Sequence, residues 1–343
     1  MSDKDETCIT TPHKERDSNM ELMRIITMMM ILLLHADFIT TGCPGDKDAI
    51  IQPFVTLSKS YIEALTIIGV NVFVLLSGWY SIHPKQNRLV GLIVQVIFFH
   101  LVGLTFAFAT QQSVNWRNIV SFMEELWFVK AYLLLYILSP VLNTFSDHID
   151  RKTFKYVLIG FFLMQSVYGW LPPDYNMPFT RGFSTISFIG LYLLARYVRI
   201  YKPHYSLWRA RTYLFVYLLL SLVITLIFYV RIRFTVPLLP LIGDMYTYTS
   251  PLVILSSLTF LLLFSKLSFR SKIVNLVAKS CFAVYLLHVN KYIWPYFDSA
   301  MSTLYQAHAY IIYLLYSTAI CIAIYAIAIF LDRIRLFLWE KMQ

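Results

Sequence analysis

Long runs of apolar residues, separated by short polar segments, set the pattern of this chain. Ten runs approach the roughly 20 residues that a helix needs to cross a hydrocarbon core. They lie near 20–40, 55–80, 90–110, 126–142, 154–170, 183–200, 213–230, 249–265, 274–296 and 310–331. Their apolar positions are continuous, not alternating, so they predict helices and exclude barrel strands. The expectation is an all-α integral membrane protein with about ten transmembrane helices and no internal repeat or soluble domain. It divides into a polar N-terminal tail over 1–19, a transmembrane domain over 20–331 and a short tail over 332–343. The first run is too long for the apolar stretch of a cleavable signal, so none is expected.

Composition sharpens this reading. The chain is 58% hydrophobic and 14% charged, whereas soluble domains are nearer 45–50% and about 25%. A soluble fold has nowhere to hide that apolar surface. The net charge of +10 raises the question of nucleic acid, but the basic residues are scattered through short loops, where the positive-inside rule accounts for them. With the N-terminus in the cytoplasm, 20 of the 29 Lys and Arg residues fall on inner segments and 5 on outer ones. That bias predicts an even number of spans and two cytoplasmic termini. The four cysteines lie in different segments and form neither a disulfide framework nor a zinc spacing. No Gly-rich phosphate loop, zinc motif or carboxylate pair stands out, so metal and nucleotide-hydrolysis chemistry find no support.

An ionisable side chain at the centre of a bilayer costs about 3 kcal/mol or more, which makes each one a functional candidate. The first run carries Arg24 and His35, eleven residues apart. At about 100° per residue they share a helix face, separated by a rise of about 16 Å. Arg24 then sits near the cytoplasmic interface and His35 past the midplane. The simpler alternative is that Arg24 snorkels to lipid phosphates and His35 bonds a neighbouring helix. Asp37 points away from the His35 face. In the ninth run, His288 comes to the depth of His35, with Tyr285 and Cys281 on its side of the helix; a structural hydrogen bond is the alternative. Glu63, in the oppositely directed second run, reaches a similar depth and either orients an imidazole or pairs with Lys59. Ser77-Gly78 falls at the level of Arg24, where tight packing is the alternative. The fourth run opens Glu124-Glu125-Leu126-Trp127-Phe128 and then carries Lys130. Lys130 requires a partner there, and Trp127 is either an interfacial anchor or a substrate platform. His100 stands alone in the third run and reads as structural.

Four of these features, taken in order, resemble the membrane-bound acyltransferase-3 family. They are Arg24 and His35 with ten residues between them, Asn71 through Ser77-Gly78, Leu126-Trp127-Phe128 with Tyr132 and Tyr136, and Tyr285-Leu286-Leu287-His288. The Leu-Trp-Phe form is similar to the branch that O-acetylates bacterial surface polysaccharides. The resemblance implies a ten-helix enzyme of the bacterial cytoplasmic (inner) membrane. Such an enzyme moves acetyl or another short acyl group from cytoplasmic acyl-coenzyme A to a sugar hydroxyl of a polysaccharide or lipid-linked precursor. It carries roles over to Arg24 and His35, and to Ser77, Gly78, Trp127, Tyr285 and His288, while Cys281 is not read as catalytic. Some relatives add an extracytoplasmic hydrolase-like domain. Only a short tail follows the tenth run here, so transfer is expected to be completed within the membrane domain.

The expected chemistry places the coenzyme A phosphates on Arg24 with Lys85 and Arg88, beside Ser77. His35 acts as general base, since imidazole titrates in the right range. Tyr285, His288 and Trp127 are candidate donors to the developing oxyanion, and Glu63, Trp127 and Lys130 are candidates for the acceptor side. Transfer is either direct or through an acyl-histidine. The competing class is a transporter of a short-chain acid, an acyl group or a lipid-linked glycan, with the same groups lining its path. The lack of repeat symmetry and of paired broken helices argues against it. A third reading is a subunit of polysaccharide synthesis or export without catalysis.

Overall fold

The structure is a computed structural model that describes residues 17–341, except 116, 118, 120–122, 124, 172–177 and 235–243. Nearly all of the N-terminal tail, with Cys8, and Glu124 of the fourth run therefore lie outside the described residues. Among the described residues there are helices and no strand.

Each helix starts or stops for a local reason. α1 (Ser18–Leu34) runs without interruption into a π-type turn over His35–Ile39. The short α2 (Asp46–Ile51) opens with the Gly45 N–H donating to Asp48 Oδ2 at 2.8 Å. α3 (Pro53–Thr66) begins on a proline, whose missing N–H has no partner to lose in a first turn. α4 (Gly69–Tyr80) follows after a brief turn and ends at Ser81, whose φ of 63° leaves the helical region. α5 spans Gln86–Ala109 and α6 Trp127–His148. α7 (Arg151–Gly169) is capped by Asp150, which accepts from the N–H groups of Lys152 and Thr153 at 2.9 and 3.0 Å. Hydrogen bonds from Thr153, ahead of that from Lys152, hold the exposed Asp150 carboxyl below the ordinary carboxylate range. α8 (Thr185–Tyr201) is capped by Ser184, and α9 spans Ala210–Arg233. α10 (Pro251–Ser265) again begins on proline. α11 (Lys272–Ala278), α12 (Cys281–His288), α13 (Trp294–Ala307) and α14 (Tyr310–Glu340) complete the chain.

Among the described residues, six helical stretches are long and apolar enough to cross a membrane: Ser18–Ile39, Pro53–Tyr80, Gln86–Ala109, Trp127–His148, Ala210–Arg233 and Tyr310–Lys341. The other predicted runs are also helical but differ from the expectation. α8 and α10 are short, at 17 and 15 residues, and α7 carries Arg151, Lys152 and Lys155 in its first turns. The ninth run is not one helix: it breaks at Lys279-Ser280 into α11 and α12. The second run is also interrupted, at Ile67-Ile68. The expectation of the second and ninth runs as single unbroken helices is therefore corrected. α13 was not expected. Its signal is a helical stripe of Trp294, Phe297, Met301 and Leu304 turned toward α12 and α14. α14 extends well past residue 331, so most of the predicted C-terminal tail is helix.

α1 is the central element and packs against α3, α4, α10, α11, α12 and α14. One apolar cluster gathers Leu75 of α4, Tyr192 of α8, Ile224 of α9 and Leu261 of α10. The other gathers Phe99 of α5, Val284 of α12 and Tyr313 of α14. α1 contributes Met23 to the first and Leu32 to the second. α4 and α8 touch backbone to backbone at Gly78, where a Cβ would collide with the carbonyl oxygen of Tyr192. Gly160 of α7 has open space around it. Gly78→Ala should therefore lower the unfolding temperature of the detergent-purified protein, an overpacking cost of about 1–3 kcal/mol. Gly160→Ala should raise it slightly, as helix propensity gains about 0.5–1 kcal/mol. Equal responses at the two sites would mean that α4 and α8 are not in backbone contact.

Candidate functional site

His35 stands where α1 gives way to the π-type turn, a distortion frequent at functional positions. Its Nδ1 lies 2.8 Å from Nε2 of His288. Nδ1 of His288 lies in turn 2.8 Å from the carbonyl oxygen of Val284, one turn back on α12. A carbonyl only accepts, so the proton of neutral His288 is on Nδ1 and its Nε2 presents a lone pair. Neutral His35 must then donate through Nδ1–H, which leaves its own Nε2 unprotonated. The Val284 carbonyl thus sets both tautomers. His288 is fully buried. The edge of Trp294 packs on His35, with ring centroids 5.6 Å apart and planes at 88°.

A polar cluster just beyond His35 fixes the turn that carries it. Lys59 Nζ donates to the carbonyls of Gly42 at 2.7 Å and Thr41 at 3.3 Å, and lies 3.9 Å from Asp37 Oδ1. The Tyr310 hydroxyl donates to Asp37 Oδ2 at 3.0 Å, and that of Tyr313 to the Ala36 carbonyl. The Thr40 hydroxyl returns to the His35 carbonyl at 3.0 Å. The extra carbonyls exposed by the π-type turn are thereby satisfied, as a buried turn requires. Asp37 turns away from the imidazole, as expected. Glu63 fits neither of its expected arrangements. It is buried, its Oε2 has no hydrogen-bond partner, and the carboxylate paired with Lys59 is Asp37.

A cavity of about 750 Å³ runs along α1 between the two apolar clusters. Arg24 and His35 both line it, about 16 Å apart along the helix. Arg88, Lys279 and Arg335 line it together with Arg24. Arg24 is paired with Glu21 at 3.2 Å and Arg335 with Asp332 at 2.7 Å. Among the described residues, Arg88 and Lys279 have no carboxylate partner. Near His35 the wall is aromatic. Trp127 packs on Phe183 with centroids 4.5 Å apart and stacks on Tyr248 at 6.1 Å. Tyr285 also lines the cavity, edge-on to His288 at 6.0 Å. Ser77 lines it with its hydroxyl donating to the Phe73 carbonyl at 2.9 Å, and 3.3 Å from the Tyr132 hydroxyl.

Arg24, His35, Ser77, Arg88, Trp127 and Tyr285 therefore share one cavity, and His288 stands directly behind it. Lys85, Glu63 and Lys130 do not line it. The backbone of Lys85 is engaged by the Tyr136 hydroxyl, at 2.9 Å from its N–H and 3.2 Å from its carbonyl. Lys130 is exposed on α6. His100 lies apart in a small void with Glu125 and Lys291. Sequence reasoning missed Lys279, Arg335, Phe183 and Tyr248. Lys279 looked like part of an unbroken helix end, and Phe183 and Tyr248 lie in connecting segments with no periodicity to expose them. Arg335 was detectable: the Asp332–Arg335 spacing and the apolar residues Leu331, Ile334 and Leu338 extend the helical pattern past 331.

Residues 17–331 match a family model described as an acyltransferase domain. No curated protein and no solved structure matches the chain.

Lys59 and Asp37 are each less than 5% exposed. Removing one member of such a pair costs about 3–5 kcal/mol, because the other charge is left without compensation. Lys59→Met and Asp37→Leu should each destabilise the protein by that order, and the double variant by clearly less than the sum. A double-mutant cycle from unfolding midpoints measures the coupling, and strict additivity would show that the two charges do not interact.

Proposed function

Since the chain belongs to the acyltransferase-3 family and is a membrane acyltransferase, we propose that it transfers an acetyl or other short acyl group from acyl-coenzyme A to a sugar hydroxyl of a bacterial surface polysaccharide or its lipid-linked precursor. The observation that carries this reading is the cavity itself. It has four cationic side chains, Arg24, Arg88, Lys279 and Arg335, and an imidazole about 16 Å along α1 from the first of them. The donor has the matching asymmetry. Its phosphates are anionic, and a long neutral pantetheine arm ends in the thioester. Arg24 and Arg335 offer planar guanidinium groups to the phosphates, and Arg88 and Lys279 bring charge that has no carboxylate partner among the described residues.

In this reading Nε2 of His35 takes the proton of the acceptor hydroxyl as its oxygen attacks the thioester carbonyl. The carbon–oxygen bond forms, the carbon–sulfur bond breaks, and the proton passes from His35 to the departing thiolate. The products are the acyl ester and free coenzyme A, so no co-reactant is needed. While His35 holds the extra proton, its Nδ1–H still donates to His288, which is backed by the Val284 carbonyl. The Tyr285 hydroxyl is the proposed donor to the developing oxyanion. Trp127, with Phe183 and Tyr248, offers an apolar face for the C–H side of a sugar ring. Ten spans in the bacterial inner membrane, with both termini and the cationic end of the cavity in the cytoplasm, complete the proposal.

Two outcomes follow. His35→Gln should lower the rate of glycan acylation by about 10²–10⁴ while donor affinity is retained. Arg24→Lys and Arg88→Ala should act mainly on the donor KM, the latter more than Lys85→Ala. Retention of most of the rate in His35→Gln would remove the general-base step. Flux of a substrate across proteoliposomes without thioester loss would replace the enzyme reading with the transporter. For the orientation, reporters fused at Lys85, Asp150 and Lys202 should read cytoplasmic, and those at Gly45 and Asn115 extracytoplasmic; two or more reversals overturn it.

A further inference from the structure

A second cavity, of about 540 Å³ among α7, α8, α9 and α10, has no charged side chain in its wall. The main cavity has several, and they gather where the last turns of α14 meet α5. There α5 contributes Arg88, Gly91 and Gln95 to the wall, and α14 contributes Arg335, Leu336 and Trp339. A donor phosphate accounts for the cations. It accounts for neither Trp339 nor the bonds that hold Arg335.

A tryptophan near the end of a membrane span commonly anchors it among lipid headgroups. Trp339 faces the other way. The exposed positions of this stretch are Ile334, Phe337 and Leu338, whereas Arg335, Leu336 and Trp339 line the cavity. Trp339 is half-buried. It follows Arg335 by four residues, so the two side chains are neighbours on one helix face, about 6 Å apart along the axis.

Arg335 is held in place from both helices. Its Nε donates to Asp332 Oδ1 at 2.7 Å, and Nε2 of Gln95 donates to the same oxygen at 3.0 Å. All three residues are buried. With Nε spent on Asp332, the two terminal nitrogens of the guanidinium are left over. Among the described residues they have no hydrogen-bond partner. Their N–H groups form a fork that can take two oxygens of one phosphate. Gly91 lines the same cleft one turn from Gln95, and a Cβ there would meet no atom within 4 Å. Space for a flat group is therefore left between α5 and α14.

We propose that this cleft reads the nucleotide of the donor, with the adenine ring stacked on Trp339 and a phosphate of its ribose on the Arg335 fork, which Gln95 and Asp332 position. The proposal rests on the reading of the main cavity as the coenzyme A site, but not on the transfer step. In an adenosine phosphate, base and phosphate are separated by one sugar. The spacing of about 6 Å between an indole and a guanidinium one turn apart suits that length. A site of this kind selects free acyl-coenzyme A over an acyl group carried on a protein's phosphopantetheine arm, which has no base to stack.

The test is isothermal titration calorimetry of the full chain in mild detergent. The probe is adenosine 3′,5′-bisphosphate, the head of coenzyme A without its arm. The native protein should bind it. Trp339→Ala should weaken that binding about 10- to 100-fold, the loss of one base–aromatic stack, and Trp339→Phe should restore most of it. Arg335→Lys keeps a cation beside Asp332 but not the fork, and should weaken it as well. Gly91→Phe fills open space and should block the cleft in a protein that still folds. 4′-Phosphopantetheine has a phosphate but no base, so native and Trp339→Ala protein should bind it alike. No binding of the bisphosphate by the native protein would overturn the proposal. So would unchanged binding by Trp339→Ala or by folded Gly91→Phe, or equal losses of both probes in Trp339→Ala. Acyl-coenzyme A turnover together with unchanged bisphosphate binding by Trp339→Ala would remove the base site and keep the transfer reading. The expected binding losses in a protein that consumes no thioester would do the reverse.

Discussion

The hydrogen bond between His35 and His288 is the contact on which the rest of this structure turns. In a medium without water, two imidazoles and a carbonyl must satisfy one another, because an orphaned polar group there costs several kcal/mol. The chain Val284 C=O, His288, His35 does so with a single arrangement of protons in the neutral pair. It joins α1 to α12 across 253 residues of sequence. It also leaves one nitrogen lone pair uncommitted, on a side chain that lines the main cavity. A structural hydrogen bond and a reactive group were rival readings of these histidines; the geometry shows the hydrogen bond and leaves the His35 Nε2 lone pair free for the proposed role.

Two departures from regular helix make that contact possible. Thr40 and Tyr313 take up carbonyls of the π-type turn at His35, and Lys59 takes up those of Thr41 and Gly42 just past it. The cluster around Asp37 is thus the anchor of the turn, and its cost in buried charge is offset by Lys59 and by the Tyr310 hydroxyl. The break at Lys279-Ser280 is the second departure. It lets α12 stand at its own angle beside α1, and it turns Lys279 from a buried liability into a cation on the cavity wall. Close packing holds the opposite side, where Gly78 allows α4 and α8 to meet at backbone distance.

The same economy of polar groups separates the two cavities. The main one runs from a group of cations to aromatic faces and a histidine, a graded surface suited to a ligand with one charged and one neutral end. The groove between α9 and α10 presents carbon along its walls and no charged side chain. At both surfaces side chains from several helices converge.

The sequence by itself determined the membrane character, the helical class and the shared face of Arg24 and His35. Each follows from a local rule: the length of an apolar run, the obligatory pairing of backbone groups within a helix, and the 3.6-residue period. Even the common depth of His35 and His288 was legible, because a constant rise converts residue number into height. Only the tertiary structure decided that the two imidazoles touch, that Glu63 and Lys130 stay outside the cavity, and that Arg335, Lys279, Phe183 and Tyr248 enter it. Those outcomes depend on which helix faces meet and where a helix breaks. That is settled by packing between residues far apart in the chain, for which no spacing within a single segment carries a signal.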